Sequence, residues 1–336
     1  MEKRERVLAA LRGERPDRVP VGFWGHDRMR ESTARDLAEE TLRRVRTYDW
    51  DFVKVQSRST CFAECWGARW RPPSTTTVRG VQEAPAVAGA ADLDRLAASE
   101  PDYGPLAEQL EALRLIKSGL PDSRPVLMTV FSPLMVLGYC LPEQPTANAA
   151  ALALLDGDRA RAARVLEAIT AVIERFARDC VAAGADGIFY ASNLASRDVS
   201  TIEQLRRYQR SYDLRVLASV AGAPFNVAHV CGARPHFDEF ADYPVACFSW
   251  AIGAGAPTLA AGRARTGKAV AGGISAGAVL RDMSPGDVER EARAAIAATG
   301  GTGLLLAPGC AVDADTPAEN LIAALRAASL AGARPA

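Results

Sequence analysis

The chain has 336 residues, 49% of them hydrophobic and 24% charged, ordinary proportions for a globular fold. Its 40 Lys and Arg balance 40 Asp and Glu, which argues against a nucleic acid or an anionic membrane surface as the main partner. No apolar run approaches the ~20 residues of a membrane span, the run after Met1–Arg6 is too short for a signal peptide, and 7 Cys is an odd number, so a cytoplasmic protein with reduced thiols is expected.

In chain order, Val7 to Gly13 predicts a short helix ended by Gly13. Pro16-Asp17-Arg18 reads as a turn, and Val19 to Trp24 as a first buried strand. Leu37, Ala38, Leu42 and Val45 recur at helical spacing and place a helix over about Ala34 to Thr47. Phe52 to Gln56 is a second strand. Residues 57–104 are the least regular stretch, with Trp66-Gly67, Arg71-Pro72-Pro73 and small residues from Ala84 to Ala91. They read as an insertion over one end of the fold with room for a hairpin, since long loops in a compact domain usually serve binding.

A helix over Leu106 to Leu120 leads to a strand at Val126–Val130, and residues 145–184 read as helical. Gly187–Tyr190 is the fourth strand, and Ser200 to Glu203 has the spacing of a capping box that opens a helix to about Val220. Strands follow at Pro224–Val230, Val245–Trp250 and Ala269–Ile274. Ser284-Pro285 starts a helix that Gly300-Gly301 ends. Gly303–Ala307 is the eighth strand, and a second capping box, Thr316 to Glu319, leads a last helix to about Leu330.

Strands that alternate with helices pair in parallel, because a parallel pair needs a crossover. Eight such units predict an α/β fold closed as a (β/α)8 TIM barrel, with residues 1–336 as one domain and 57–104 over its mouth. An open doubly wound sheet is the rival, but no Gly-x-Gly-x-x-Gly follows an early strand.

In a barrel, reactive groups sit at the C-terminal ends of strands. Those ends carry His26, then Gln56 and Ser57, then Ser132 and Tyr139, then Tyr190 and Asn193. His229 and Cys231 follow, and Trp250, Ser275 and Cys310 complete the set. His229 and Cys231 are two apart and share a face of their strand. With Cys310 they form a candidate Zn2+ site of three protein ligands and one open position, the pattern of catalytic zinc. Two thiolates and a neutral imidazole cancel the metal's charge, and a substrate thiol bound there would lose its proton and become a nucleophile toward an activated methyl group.

Blander readings cover the other residues of these types. Cys140, Cys180 and Cys247 read as small buried hydrophobes. Cys61 and Cys65, four apart, can share a metal only if they lie on a helix. His26 reads as a supporting or substrate-contacting group, and His236 as a surface residue.

The residues then resemble the uroporphyrinogen decarboxylase superfamily over nearly the whole chain. The likeness lies in Ala10 to Val21, Glu64-Cys65-Trp66-Gly67, Ser132-Pro133-Leu134 to Tyr139, His229-Val230-Cys231-Gly232, Pro308-Gly309-Cys310 and Asp315 to Asn320. The resemblance implies a (β/α)8 barrel. The decarboxylases' Met-Arg-Gln-Ala-Gly-Arg motif is absent from Phe23 to Arg28, and Val55 to Arg58 lacks their carboxylate. Cys310 stands where they carry a histidine, and only Tyr139 falls at the place of a decarboxylase residue.

The superfamily's zinc-dependent methyltransferases carry His-x-Cys and a distant Cys, which His229, Cys231 and Cys310 match. That branch implies transfer of a methyl or alkyl group from a corrinoid, as methylcobalamin or on a partner corrinoid protein, to a thiol-type acceptor. Tyr139 would act at the site, and His26, Tyr190, Asn193 and Trp250 would line the substrate pocket. The alternatives are decarboxylation of a porphyrinogen or another aromatic acid, and a non-catalytic corrinoid- or tetrapyrrole-binding barrel.

Overall fold

Residues Val126–Phe131, Gly187–Ser192 and Val227–Val230 are buried at every position. A strand is buried throughout only where both of its faces are covered, as in a parallel sheet sheathed by helices. The computed structural model, which describes residues 1–143, 147–253 and 255–332, has that arrangement.

The strands are β1 (Val53–Val55), β2 (Arg69–Trp70), β3 (Gln82–Ala84), β4 (Val126–Phe131), β5 (Gly187–Ser192), β6 (Val227–Val230), β7 (Cys247–Ser249), β8 (Ala269–Ile274) and β9 (Leu304–Pro308). Seven of them form one sheet in the order β1-β4-β5-β6-β7-β8-β9, with every pair parallel. The irregular stretch 57–104 contains the antiparallel β2-β3 hairpin and two helices, Cys61–Glu64 and Ala90–Ala98.

The expected first strand is corrected. Val19 to Trp24 forms no continuous ladder and makes isolated parallel bridges, Val21 with Leu306 of β9 and Gly25 with Val312. Pro20 has no N–H to donate, so one rung is missing from the start. On the other side of this segment, Asp51 N donates to Val21 O at 2.8 Å, and Val21 N donates to the Asp51 carboxylate at 2.8 Å. Asp51 is fully buried and also accepts from Arg6 at 2.8 Å and Arg18 at 2.6 Å. Two guanidinium groups and a backbone donor satisfy a carboxylate that has no access to water.

Helices Ala34–Tyr48, Gly104–Gly119, Pro285–Thr299 and Ala318–Gly332 stand where the pattern puts them. The helical stretch 145–184 divides into Ala147–Gly157 and Arg159–Ala182, the second capped by Asp158 accepting from Arg161 N. Its first two residues, 145 and 146, lie outside the described residues. Three further helices have no sequence expectation behind them: Pro133–Cys140, Leu259–Thr266 and Gly277–Asp282. Pro133–Cys140 is buried nearly all round, so it shows no apolar stripe to read.

Both capping boxes need correction. The first is Thr201 with Gln204, one residue later than its spacing suggests, because Ser200 Oγ donates to Leu194 O at 2.6 Å instead. At the second, the Thr316 hydroxyl is buried without a partner. Asn320 ties that helix down by donating to Leu280 O at 2.8 Å and Met283 O at 2.9 Å. No described helix is long and apolar enough to cross a membrane.

Candidate metal centre

His229 is the third residue of β6, paired in register with Ala191 of β5 and Ser249 of β7. The start of β6 is fixed by Asn226, which accepts from Ile188 N at 3.1 Å and donates to Val220 O at 2.8 Å. Cys231 extends the same pairing, with its N donating to Ser192 O at 2.9 Å. Gly232 then turns the chain at φ +116°, and a Cβ there would lie 2.5 Å from Ser196 Cβ. Only glycine meets both conditions.

Cys310 follows β9. Gly309 N donates to Ile274 O at 2.9 Å, and Val312 N donates to Trp24 O at 2.9 Å, so Cys310 sits between two fixed points. Gly309 packs so closely that a Cβ would fall 2.8 Å from Ala251 Cα.

The ligand atoms of His229, Cys231 and Cys310 all lie within 4.8 Å of one another. A tetrahedral zinc with bonds of about 2.0–2.3 Å needs ligand atoms about 3.5–3.8 Å apart, so shifts of about 1 Å close the set. One nitrogen and two sulfurs are donors that zinc favours. His229 is buried, and Cys231 and Cys310 are half-buried. The thiols are electrostatically unequal. A hydrogen bond from Cys231, together with His229, holds Cys310 well below the usual thiol range. Cys231 is pushed up by Cys310 and by burial.

The groups packed around these three residues are set by strand alternation. Ser249 Oγ lies 3.2 Å from His229 Nδ1. The Phe189 ring stacks on the imidazole with centroids 5.2 Å apart. Lys54 of β1 also lies over the Phe189 ring, its Nζ 4.8 Å from the centroid, and donates to Gln56 Oε1. Gln56 Nε2 in turn donates to His26 Nε2 at 2.8 Å, which leaves His26 Nδ1–H for Glu31 at 2.5 Å. Burial pushes His26 down to about 4 and Lys54 down to about 7.

Lys54, Phe189, Ser249 and Glu31 have no sequence expectation behind them. Lys54 has a signal of its own, a charge in the middle of the apolar run Val53-Lys54-Val55.

Tyr139 and Asn193 share the lining of a cleft of about 160 Å³ with Trp70 and Arg79 of the hairpin region. The Arg79 guanidinium lies 5.1 Å from the Tyr139 ring centroid, and Asn193 Oδ1 is buried without a partner.

Tyr190 and Trp250 are corrected. Each follows a residue of the His229 face, Phe189 and Ser249 respectively, so each points to the opposite side of the sheet. Tyr190 donates to buried Asp213 at 2.6 Å. Trp250 is fully buried against Phe237 and donates to Pro257 O at 2.9 Å.

His236 is also corrected: it is buried, with Nε2 2.8 Å from Ser200 O. Cys140, Cys180 and Cys247 are buried as expected. Cys61 and Cys65 lie on or just after a short helix, but both are buried, and no third ligand joins them among the described residues.

The family model described as Uroporphyrinogen decarboxylase (URO-D) matches residues 2–329. A solved methyltransferase from Methanosarcina mazei superposes with a TM-score of 0.79 at 21% identity, covering 98% of this chain and 99% of that one. A B12-independent methionine synthase from Shewanella sp. W3-18-1, solved in complex with selenomethionine, superposes with a TM-score of 0.57 at 13% identity, covering 89% and 86%. At these identities the likeness is one of fold. No curated protein sequence matches the chain.

Proposed function

The chain belongs to the uroporphyrinogen decarboxylase (URO-D) family, and from that premise we propose that it is a zinc-dependent methyl- or alkyl-transferase. The observation that carries this reading is the convergence of His229, Cys231 and Cys310 within 4.8 Å, from strands far apart in sequence. The fold likeness to a methyltransferase and a methionine synthase supports it. We read residues 19–25 as an eighth stave that closes the sheet into a (β/α)8 barrel of one domain, with 57–104 over its mouth.

His229, Cys231 and Cys310 would hold the metal, whose chemistry is to bind an acceptor thiol and favour its thiolate. The chain's own residues do the rest. Ser249 and Phe189 orient His229. Gly232 and Gly309 let the two cysteine-bearing turns approach. Tyr139, Asn193 and His26 contact the substrates at the mouth. The methyl donor in this reading is a corrinoid, free or on a partner protein, and the seven free cysteines suit a reducing cytoplasm.

The test is metal content. Purified protein is expected to hold about one zinc per chain. His229→Ala and Cys310→Ala are expected to lose it, and with it methyl transfer from methylcobalamin to 2-sulfanylethanol. Protein that contains no metal and takes none up sinks the reading.

A further inference from the structure

Lys54 stands in the middle of β1 with 7% of its surface exposed. Taking an ammonium out of water is costly unless a counter-charge faces it. Among the described residues no carboxylate pairs with it. Its Nζ donates to a neutral amide, Gln56 Oε1, and lies over the face of Phe189. An amide oxygen and a ring face stabilise a cation only in part.

The groups behind Lys54 hold it in this position. Gln56 is committed at both ends, to Lys54 through Oε1 and to His26 through Nε2. His26 is committed to Glu31, and Glu31 also takes Arg28 at 2.8 Å. The acid of this row is therefore already paired with Arg28. The ring that Lys54 lies over, Phe189, is itself stacked on His229 with centroids 5.2 Å apart. The ammonium is thus fixed between a filled hydrogen-bond row and the ring that packs on His229.

Charge counting shows what is missing. Two thiolates, a neutral imidazole and a divalent metal sum to zero. An added thiol is neutral and an added thiolate brings one negative charge. We propose that Lys54 is the group that holds the acceptor in the site as an anion, the thiolate rather than the thiol. This inference rests on the reading of His229, Cys231 and Cys310 as metal ligands. In the binding step the acceptor's S–H bond breaks, the electron pair stays on sulfur, and the proton leaves to solvent. Lys54 supplies the counter-charge without forming a bond. A neutral ligand at the same position gains nothing from it.

The experiment compares two ligands on the protein loaded with Co2+, whose absorption reports each binding event. The ligands are 2-sulfanylethanol, which binds as an anion, and imidazole, which binds neutral. Lys54→Met is expected to keep its metal and bind imidazole as the wild type does. Its affinity for the thiol is expected to fall about tenfold or more, and Lys54→Arg to recover most of the loss. Equal thiol affinity in wild type and Lys54→Met overturns the proposal, as does an equal loss for imidazole, which marks a structural role.

If Lys54→Met does not fold, Gln56→Leu replaces it. That variant frees the ammonium from its row, and a lowered preference for thiol over imidazole is expected. An unchanged preference counts against the proposal. A wild-type protein that binds no metal fails the ligand assignment itself, a different result from any of these.

Discussion

Ser249 Oγ sits 3.2 Å from His229 Nδ1, on residues that are paired across neighbouring strands. A hydroxyl that accepts the Nδ1 proton from there leaves Nε2 unprotonated, the form in which imidazole binds metal. In that arrangement the serine fixes the tautomer as well as the ring plane. Ser249→Ala is expected to weaken metal affinity about 10–100-fold while the fold is kept. Competition with a chelator of known affinity measures this. Unchanged affinity would remove Ser249 from the site.

Gly232 links the sheet to the loop that follows Cys231. Its φ of +116° is a glycine conformation, and Ser196 occupies the space of a Cβ. Gly232→Ala is expected to cost about 1–3 kcal/mol of stability. It should also turn the Cys231 sulfur away from Cys310 and weaken metal binding. Thermal unfolding and metal titration on the same preparation separate the two effects. A variant with normal metal affinity would show that the turn does not aim the thiol.

Asp213, behind β5, has no access to water, and burial pushes its carboxyl up to about 7 against the hydrogen bonds of Tyr190, Gln209 and Tyr243. Its folded value is raised above an unfolded value of ~3.9. The folded state therefore binds the extra proton between these limits, and stability from this group is complete below about pH 4 and lost as pH rises to about 7. The change is on the order of 4 kcal/mol. Urea unfolding of wild type and Asp213→Asn across that range is expected to show the difference between them falling as pH rises. A difference independent of pH would mean that Asp213 is ionised in the fold throughout.

Much of the candidate site was legible because it lies at strand ends. His229 and Cys231 two apart on one strand, and Cys310 after a buried run, need only the period of two and the parallel topology to be brought to the same end of the sheet. For Tyr190 and Trp250 the strand end alone does not decide the surroundings, because the face of the strand does. Alternation counted back from His229 across the register puts Phe189 and Ser249 toward the site, and Tyr190 and Trp250 away from it. Val19 to Trp24 has the pattern of a full strand, but Pro20 removes a rung and only isolated bridges form, while helix Pro133–Cys140 shows no stripe because it is buried on nearly every side.

The sequence by itself determined the parallel α/β architecture, the places of seven sheet strands and the three residues of the candidate metal centre. These depend on local periodicity and on which end of a strand a residue occupies. Only the tertiary structure decided what surrounds the centre: Ser249 beside His229, Phe189 across it, and Lys54 held by Gln56 and His26. The spacing of side chains along one strand is set by the covalent chain. Which strands stand next to one another, and which side chains then meet across the sheet's inner face, is set by how the sheet curls and pairs. A lysine in an apolar strand becomes intelligible only when the ring over which it lies and the amide that holds it are seen together.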